Sequence, residues 1–534
     1  MRLFFIHAAR WLMAVCLLLP SVAAGAASAE VEQGWTGAER ELWWNGPQGS
    51  SIMPYDWFLK LARADAPTLF AAPDHLAGYG FLASSTNSVN PDGLPIGLSR
   101  ETGRGGAVSV GMTCSACHTG TIAYQGKAVL LEGAGAMANI QNFDRELSAA
   151  LAKTSGDDAA FDAFATRLGT AAADRPALHE RFAQVAAGRV AYTKMNTPPF
   201  DHGPGRVDAL GVIMNALTVT ALDQPSNARA PDAPVRLPWV WNSTTYNRVQ
   251  YNGSISNAGL GPLLRNIGQT LGVYGTVDVS KPPVAGYGSS VSVKGIDALE
   301  GLLEKLKAPA WPSMLPAIDT ARAGQGAAVF AQACASCHQP QARDADGLLT
   351  VALVPLDKVG TDPRAARNFM TRPAATGLLE GRPVAVVGGP VFGPRAGAAT
   401  IVGHVSSGVA LQVPRERLTA GLGAYRAAIA ANPGRLDAYK AVPLGGVWAG
   451  APYLHNGSVA NLAQLLTPPA ERAAKFTVSG RDFDPVAVGM PADVAVPGFV
   501  FDVSLAGNSN QGHDYGTGLS AGEKAELIEY LKTL

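Results

Sequence analysis

The chain has 534 residues, with 42 basic and 42 acidic side chains, nine histidines and five cysteines. A net charge of zero leaves no basic excess to neutralise phosphates, which argues against nucleic acid as a partner. The length suits two or three domains, and 60 glycines and 37 prolines beside only 16% charged residues indicate much ordered loop.

Residues 1–29 have the form of a signal peptide. Arg2 and Arg10 flank its start, Trp11 to Val22 is mostly apolar, and Ala27-Ser28-Ala29 offers a small-residue cleavage site. An apolar run of about a dozen residues is too short to cross a bilayer, which takes about 20. No later stretch is long and apolar enough either. The mature chain is expected to be periplasmic or secreted, without a membrane span. Cys16 leaves with this segment, so four cysteines remain.

From residue 30 to 79 the chain is rich in Trp and Pro (Trp35, Trp43, Trp44, Trp57) and reads as an extension wrapped around the first domain. Asn90-Pro-Asp-Gly93 is a turn signal. The glycine-rich stretch from Gly103 to Gly111 then leads, with no amphipathic helix, into Cys114-Ser-Ala-Cys117-His118. This is a C-x-x-C-H motif, read as a c-type haem attachment site. Each thiol can form a thioether with a porphyrin vinyl group, and the adjacent histidine offers an imidazole nitrogen to iron. A zinc site would want four clustered ligands, and a thioredoxin-like pair would not need the histidine.

Ala138 to Val190 is Ala-rich with helical spacing (Phe143, Leu147, Leu151) and reads as two or three helices, closed by Pro198-Pro199. A helical stretch to Leu217 and another from Leu263 to Leu271 flank loops containing Leu237-Pro-Trp-Val-Trp-Asn242 and Tyr251-Asn-Gly-Ser254. Three prolines between Ala308 and Pro316 cannot continue a helix and mark a boundary. Beyond it, Gly326, Val329 and Phe330 share one face of a helix that runs into a second motif, Cys334-Ala-Ser-Cys337-His338. Four of five cysteines therefore lie in two copies of one motif, which points to two covalently bound haem c groups with His118 and His338 as metal ligands. Ser520-Ala-Gly-Glu523 forms a capping box ahead of an apolar stripe of Leu527, Ile528, Leu531 and Leu534.

These residues together resemble the bacterial dihaem cytochrome c peroxidase superfamily. The Gly326/Phe330 helix, Cys334 to His338, Pro452-Tyr-Leu-His-Asn-Gly457 and the terminal helix occur in that family's order. Length, Gly111 to Gly120, Tyr453 to Ser458 and Asn508-Ser-Asn-Gln-Gly-His-Asp-Tyr-Gly516 resemble the larger, rubber-oxygenase-like branch. The resemblance implies a mainly α fold. Two cytochrome c-like haem domains with extensive ordered loops would span residues 80–307 and 319–534, joined by a linker at 308–318 and wrapped by the N-terminal extension.

The resemblance also implies roles. His513 occupies the place of the distal metal ligand of the second haem, with His455 beside that haem as a cofactor-binding neighbour. Tyr251, Gln269 and Trp241 fall where the family carries out or relays its chemistry. His202, His75 and Met112 are candidates to cap the first haem, and Arg206 to pair with a propionate. The family's Trp-Asp-Gly-Arg is here Tyr251-Asn-Gly-Ser, and no acid occurs from Asn252 to Ile267. That weakens peroxide heterolysis by general acid–base catalysis and leaves dioxygen chemistry open. A calcium ion held by backbone carbonyls is a further option with no assigned ligands. The implied activity is a dihaem oxidoreductase passing electrons through the second haem and reacting with hydrogen peroxide or dioxygen at the first, with a protein electron donor or acceptor. Two alternatives stand beside it: a non-catalytic electron-transfer cytochrome, and an enzyme that modifies a partner protein.

Overall fold

The computed structural model describes residues 29–103, 105–340, 342–386, 388–431, 437–478, 480–492 and 498–534. The expected signal peptide, apart from Ala29, lies outside the described residues. Among those residues the chain is mainly helical with several two- and three-stranded sheets. No helix of the described residues is long and apolar enough to cross a membrane.

Helix α1 (Gly37–Asn45) opens on a capping box, in which the Glu39 N–H donates to the Thr36 hydroxyl and the Thr36 N–H donates to the Glu39 carboxylate. It lays Trp43 and Trp44 against the first C-x-x-C-H motif. That motif hangs from a β-hairpin. Strands β1 (Leu98–Thr102) and β2 (Val108–Met112) pair antiparallel with Leu98 opposite Met112, and β2 runs straight towards Cys114. A second hairpin, β3 (Thr119–Tyr124) with β4 (Lys127–Glu132), leaves the motif immediately.

The Ala-rich stretch is three helices: α2 (Ile140–Gly156), α3 (Asp158–Arg167) and α4 (Arg175–Met195). Asn139 and Asp157 cap the first two with their side chains. Phe143, Leu147 and Leu151, one helical turn apart, are all fully buried and pack with Phe164 and Phe182 in one aromatic-rich cluster. Helix α4 ends three residues before Pro198. Helix α5 (Ala209–Asn215) is capped by Asp208 and widens into a π turn over Ala216–Thr220. Then come α6 (Gly261–Gly272) and α7 (Val293–Lys305). Helix α7 is not anticipated from the sequence, although Ser292 caps it and Ile296, Leu299, Leu302 and Leu303 form its buried stripe.

Helix α8 (Thr320–Ala333) delivers the second motif. Strands β5 (Ala352–Pro355) and β6 (Ala438–Ala441) pair antiparallel, and between them α9 (Ala398–Ala410) buries most of its length. The terminal helix α10 (Ala521–Leu531) has the expected Ser520/Glu523 capping box and buries Leu527, Ile528 and Leu531. It crosses α8 at close range. A Cβ on Gly326 would stand 1.9 Å from the Glu526 carbonyl oxygen, and Phe330 meets the Tyr530 ring at 5.2 Å. Only glycine permits that approach.

One apolar cluster joins Trp43, Leu131, Trp241, Leu303, Phe330 and Trp448, with Cys114 and Cys334 both packed against it. Side chains from either side of the proline-rich segment thus share a core. Fully burying each such side chain contributes about 1.5–3 kcal/mol, so this cluster is a main tie between the two motifs.

Candidate functional site

Both motifs open into one cavity of about 600 Å³, whose walls carry far more apolar than polar surface. His118 and His338 are oriented in the same way. The Nδ1 of His118 lies 2.8 Å from the Pro238 carbonyl, and that of His338 lies 2.8 Å from the Val442 carbonyl. A carbonyl only accepts, so Nδ1 carries the proton in both rings and Nε2 keeps its lone pair. Burial holds the His118 pKa down to about 4 and lowers that of His338, so both imidazoles are neutral at pH 7. Burial also pushes the Cys114 and Cys117 thiols up to about 12 and raises Cys334. No disulfide forms among these four cysteines.

The two sites differ on the side facing each imidazole. His513 faces His338 with ring centres 6.3 Å apart. Two imidazoles on one metal ion, each bonded at about 2.0–2.1 Å with about 1.1 Å more to the ring centre, stand roughly 6.3 Å apart. His513 is half-buried, its Nδ1 is buried without a hydrogen-bond partner, and desolvation takes its pKa down to about 4. Among the described residues no imidazole pairs with His118 at a comparable separation. His202 lines the same cavity with a buried, unpartnered Nε2. His75 instead contacts the Tyr79 hydroxyl at 3.0 Å, and Met112 lines the cavity while packing into the apolar cluster around Phe143.

Polar groups around the cavity are left with unmet demands. Thr113 Oγ1, Asn196 Nδ2, His202 Nε2, Asn252 Nδ2, Thr361 Oγ1 and His513 Nδ1 line it, buried and without hydrogen-bond partners. Buried polar atoms are ordinarily paired. Three cations, Arg206 and Arg236 buried and Lys440 half-buried, add to this. Arg206 donates to the Asn456 and His202 carbonyls and to Asn508 Oδ1, Arg236 to the Leu454 carbonyl, and Lys440 extends over the Tyr246 ring. Among the described residues none of the three pairs with a carboxylate. Burial takes Arg206 down to about 9 and Lys440 to about 8. An apolar cavity with paired thiols, neutral imidazoles and uncompensated cations fits a flat apolar group carrying carboxylates, as a haem does. No cluster of three His, Cys, Asp or Glu side chains forms among the described residues. A calcium ion would therefore rest largely on backbone carbonyls.

The remaining expected residues come together at this cavity. Tyr251 donates its hydroxyl to the Arg236 carbonyl, and its ring lies 6.2 Å from His455. His455 stacks on Tyr439 with ring centres 4.1 Å apart and is held neutral by burial, its pKa down to about 3. It sits beside neither His118 nor His338 in ring contact. Gln269 faces the cavity from α6. Trp241 donates to the Gly445 carbonyl at 2.7 Å and stacks on Trp239.

Sequence reasoning missed the acids. Glu300 on α7 accepts from Arg265 through both oxygens at 2.7 Å and from Asn266 at 2.8 Å. Asp144 on α2 accepts from Arg189 at 2.6 Å and from the Tyr274 hydroxyl at 2.8 Å. Both line the cavity, each brought there by tertiary packing from a helix remote from the motifs in sequence.

A family model described as RoxA-like, cytochrome c-like matches residues 438–477. That stretch contains Lys440, the Val442 that orients His338, the Tyr453 to Ser458 block and Arg472. Two similar proteins come from Sinorhizobium fredii (strain NBRC 101917 / NGR234), each described as uncharacterized. The y4iJ protein is 32% identical, over 94% of this chain and 93% of its own length. The y4iM protein is 27% identical, over 63% of this chain and 72% of its own. With that extent of likeness to y4iJ, the chain belongs to the y4iJ family.

Proposed function

We propose that this chain is an exported dihaem c-type cytochrome that acts as an oxidoreductase, with haem c on Cys114, Cys117 and His118 and on Cys334, Cys337 and His338. The observation that carries the reading is the unequal setting of the two histidines. His338 is faced by His513 at a separation suited to one metal ion between them, whereas His118 is faced by no such imidazole among the described residues. When bound, the second haem supplies one-electron transfer and the first an iron able to engage hydrogen peroxide or dioxygen.

The chain's own residues do the rest. The Pro238 and Val442 carbonyls hold both imidazoles in the tautomer that leaves Nε2 free. Arg206, Arg236 and Lys440 supply positive charge for propionates, and the apolar walls exclude water. Trp239 and Trp241 bridge from the Pro238 carbonyl under His118 to Gly445, three residues past Val442, and give electrons a short aromatic path between the sites. Gln269 offers an uncharged amide to the cavity. Tyr251, its phenol kept protonated by burial, offers an oxidisable ring. The Glu300 carboxylate is engaged by Arg265 and Asn266, while the buried Asp208 carboxyl lines the same cavity with its pKa pushed up to about 6 by desolvation, so the reading keeps both peroxide and dioxygen. In this reading residues 80–307 and 319–534 each serve one haem.

The test is electron paramagnetic resonance on the purified protein, fully oxidised and again after one electron per two haems. Two haems per chain by pyridine haemochrome, with one high-spin and cyanide-sensitive in either sample, is the expected result. Two low-spin haems indifferent to cyanide in both samples would leave a plain electron carrier. Fewer than two haems would overturn the dihaem assignment.

A further inference from the structure

We infer that Arg472 is the positioning residue that fixes His513 opposite His338 and thereby keeps the second haem site closed to external ligands. The inference rests on the dihaem reading and adds a residue to it.

A guanidinium has five N–H donors in a rigid fork. In Arg472, which is buried, every one meets a backbone carbonyl. Nε donates to Thr467 at 3.1 Å, Nη1 to Asn510 at 2.6 Å and Gly512 at 2.8 Å, and Nη2 to Leu465 at 3.0 Å and His513 at 2.9 Å. Three of those carbonyls belong to the four residues ending at His513. None of the donors is spent on a carboxylate, so the whole fork is given to holding backbone.

The loop needs such a hold. His513 has φ +46°, a left-handed conformation that a non-glycine residue keeps only where its surroundings impose it. On its far side the His513 N–H donates to the Val359 carbonyl at 2.7 Å. A Cβ on Gly512 would lie 2.2 Å from the Gly360 carbonyl carbon, so the two backbones are in direct contact. The loop is thus gripped between the 359–361 backbone and Arg472. The imidazole has no hydrogen bond from Nδ1; the Tyr515 ring packs edge-on against it at 5.3 Å, and the clamp fixes the backbone from which it projects.

A merely structural arginine would lower stability without changing the second haem's ligation, and spectroscopy separates the two roles. The holoproteins to compare are wild type, Arg472→Gln, Arg472→Lys and His513→Ala, each checked for two haems per chain. In wild type one haem is expected to be high-spin. His513→Ala is expected to make it two, with cyanide now binding the second haem. Arg472→Gln is expected to move the count part of the way from one towards two and to speed cyanide binding at the second haem roughly tenfold or more, with Arg472→Lys in between and the first haem unchanged. If His513→Ala opens the second haem while Arg472→Gln leaves it wholly low-spin and inert to cyanide, the inference is overturned. If His513→Ala leaves the second haem low-spin, the ligand assignment itself fails instead. Should the Arg472 variants not accumulate with two haems, hydrogen exchange on wild type decides. The His513 amide is expected to exchange as slowly as amides of α8 and α10, and fast exchange would show that the loop is not clamped.

Discussion

Trp239 and Trp241 lie face to face, ring centres 5.8 Å apart and planes 8° from parallel, although only Val240 separates them. Trp239 is also covered by the Arg236 guanidinium at 4.6 Å, while Trp241 is fully buried. Trp241→Phe keeps an aromatic ring but loses the bond to the Gly445 carbonyl, so it should cost about 1–3 kcal/mol and, on the dihaem reading, slow electron equilibration between the haems. Stopped-flow reduction followed at two wavelengths would read the second effect, and denaturant titration the first.

Gly326 sets the close approach of α8 to α10. Gly326→Ala forces α8 and α10 apart against the Glu526 carbonyl, and overpacking of this kind costs typically about 1–3 kcal/mol. The thermal midpoint should fall, while haem content and the spectrum of the first haem stay as in wild type.

Acid should destabilise the fold over a defined window. Burial takes the His202 and His455 imidazoles down to about 3, against about 6.5 in an unfolded chain. Between those values the unfolded state binds more protons, so stability is full above about pH 6.5 and falls as the pH drops towards 3. Each ring contributes a slope of up to about 1.4 kcal/mol per pH unit. His202→Gln should remove one ring's share, which denaturant midpoints measured from pH 7 to pH 4 would show as a shallower decline.

On the dihaem reading, Lys440 is a half-buried cation on the cavity wall, two residues before the carbonyl that orients His338. Removing a positive charge favours the more positive, oxidised state of a nearby centre. Lys440→Met should therefore lower the reduction potential of the second haem more than that of the first. A redox titration that resolves the two would settle it.

The sequence showed what is local. C-x-x-C-H spacing, the Gly326/Phe330 face, the Ser520 capping box and the stripe of Phe143, Leu147 and Leu151 are each carried by neighbours along one element. The glycine-rich approach to Cys114 has no helical periodicity, and a hairpin stands there. His513 was legible from the order of motifs, and its ring faces His338. Helix α7 carries its own cap in Ser292 and its own stripe of Ile296, Leu299, Leu302 and Leu303, a local signal that the reading did not use. Glu300 and Asp144 were invisible for a different reason: tertiary packing brings them to the cavity from helices away from the motifs. Arg472 leaves no sequence signal at all, since its five acceptors are backbone carbonyls that any residues supply.

The N-terminal extension also bears on how such a molecule is put together. Trp43 forms part of the cavity wall, Ser115 donates its hydroxyl to the Trp44 carbonyl, and the Gln48 side-chain oxygen lies 3.1 Å from the Cys114 sulfur. On the dihaem reading, an attachment catalyst could not reach that thiol once residues 37–48 have settled over it. Thioether formation at the first motif must then precede the docking of a segment synthesised before it. The second motif is more open to solvent, with Ser336 exposed between its cysteines, and imposes no such order on its assembly.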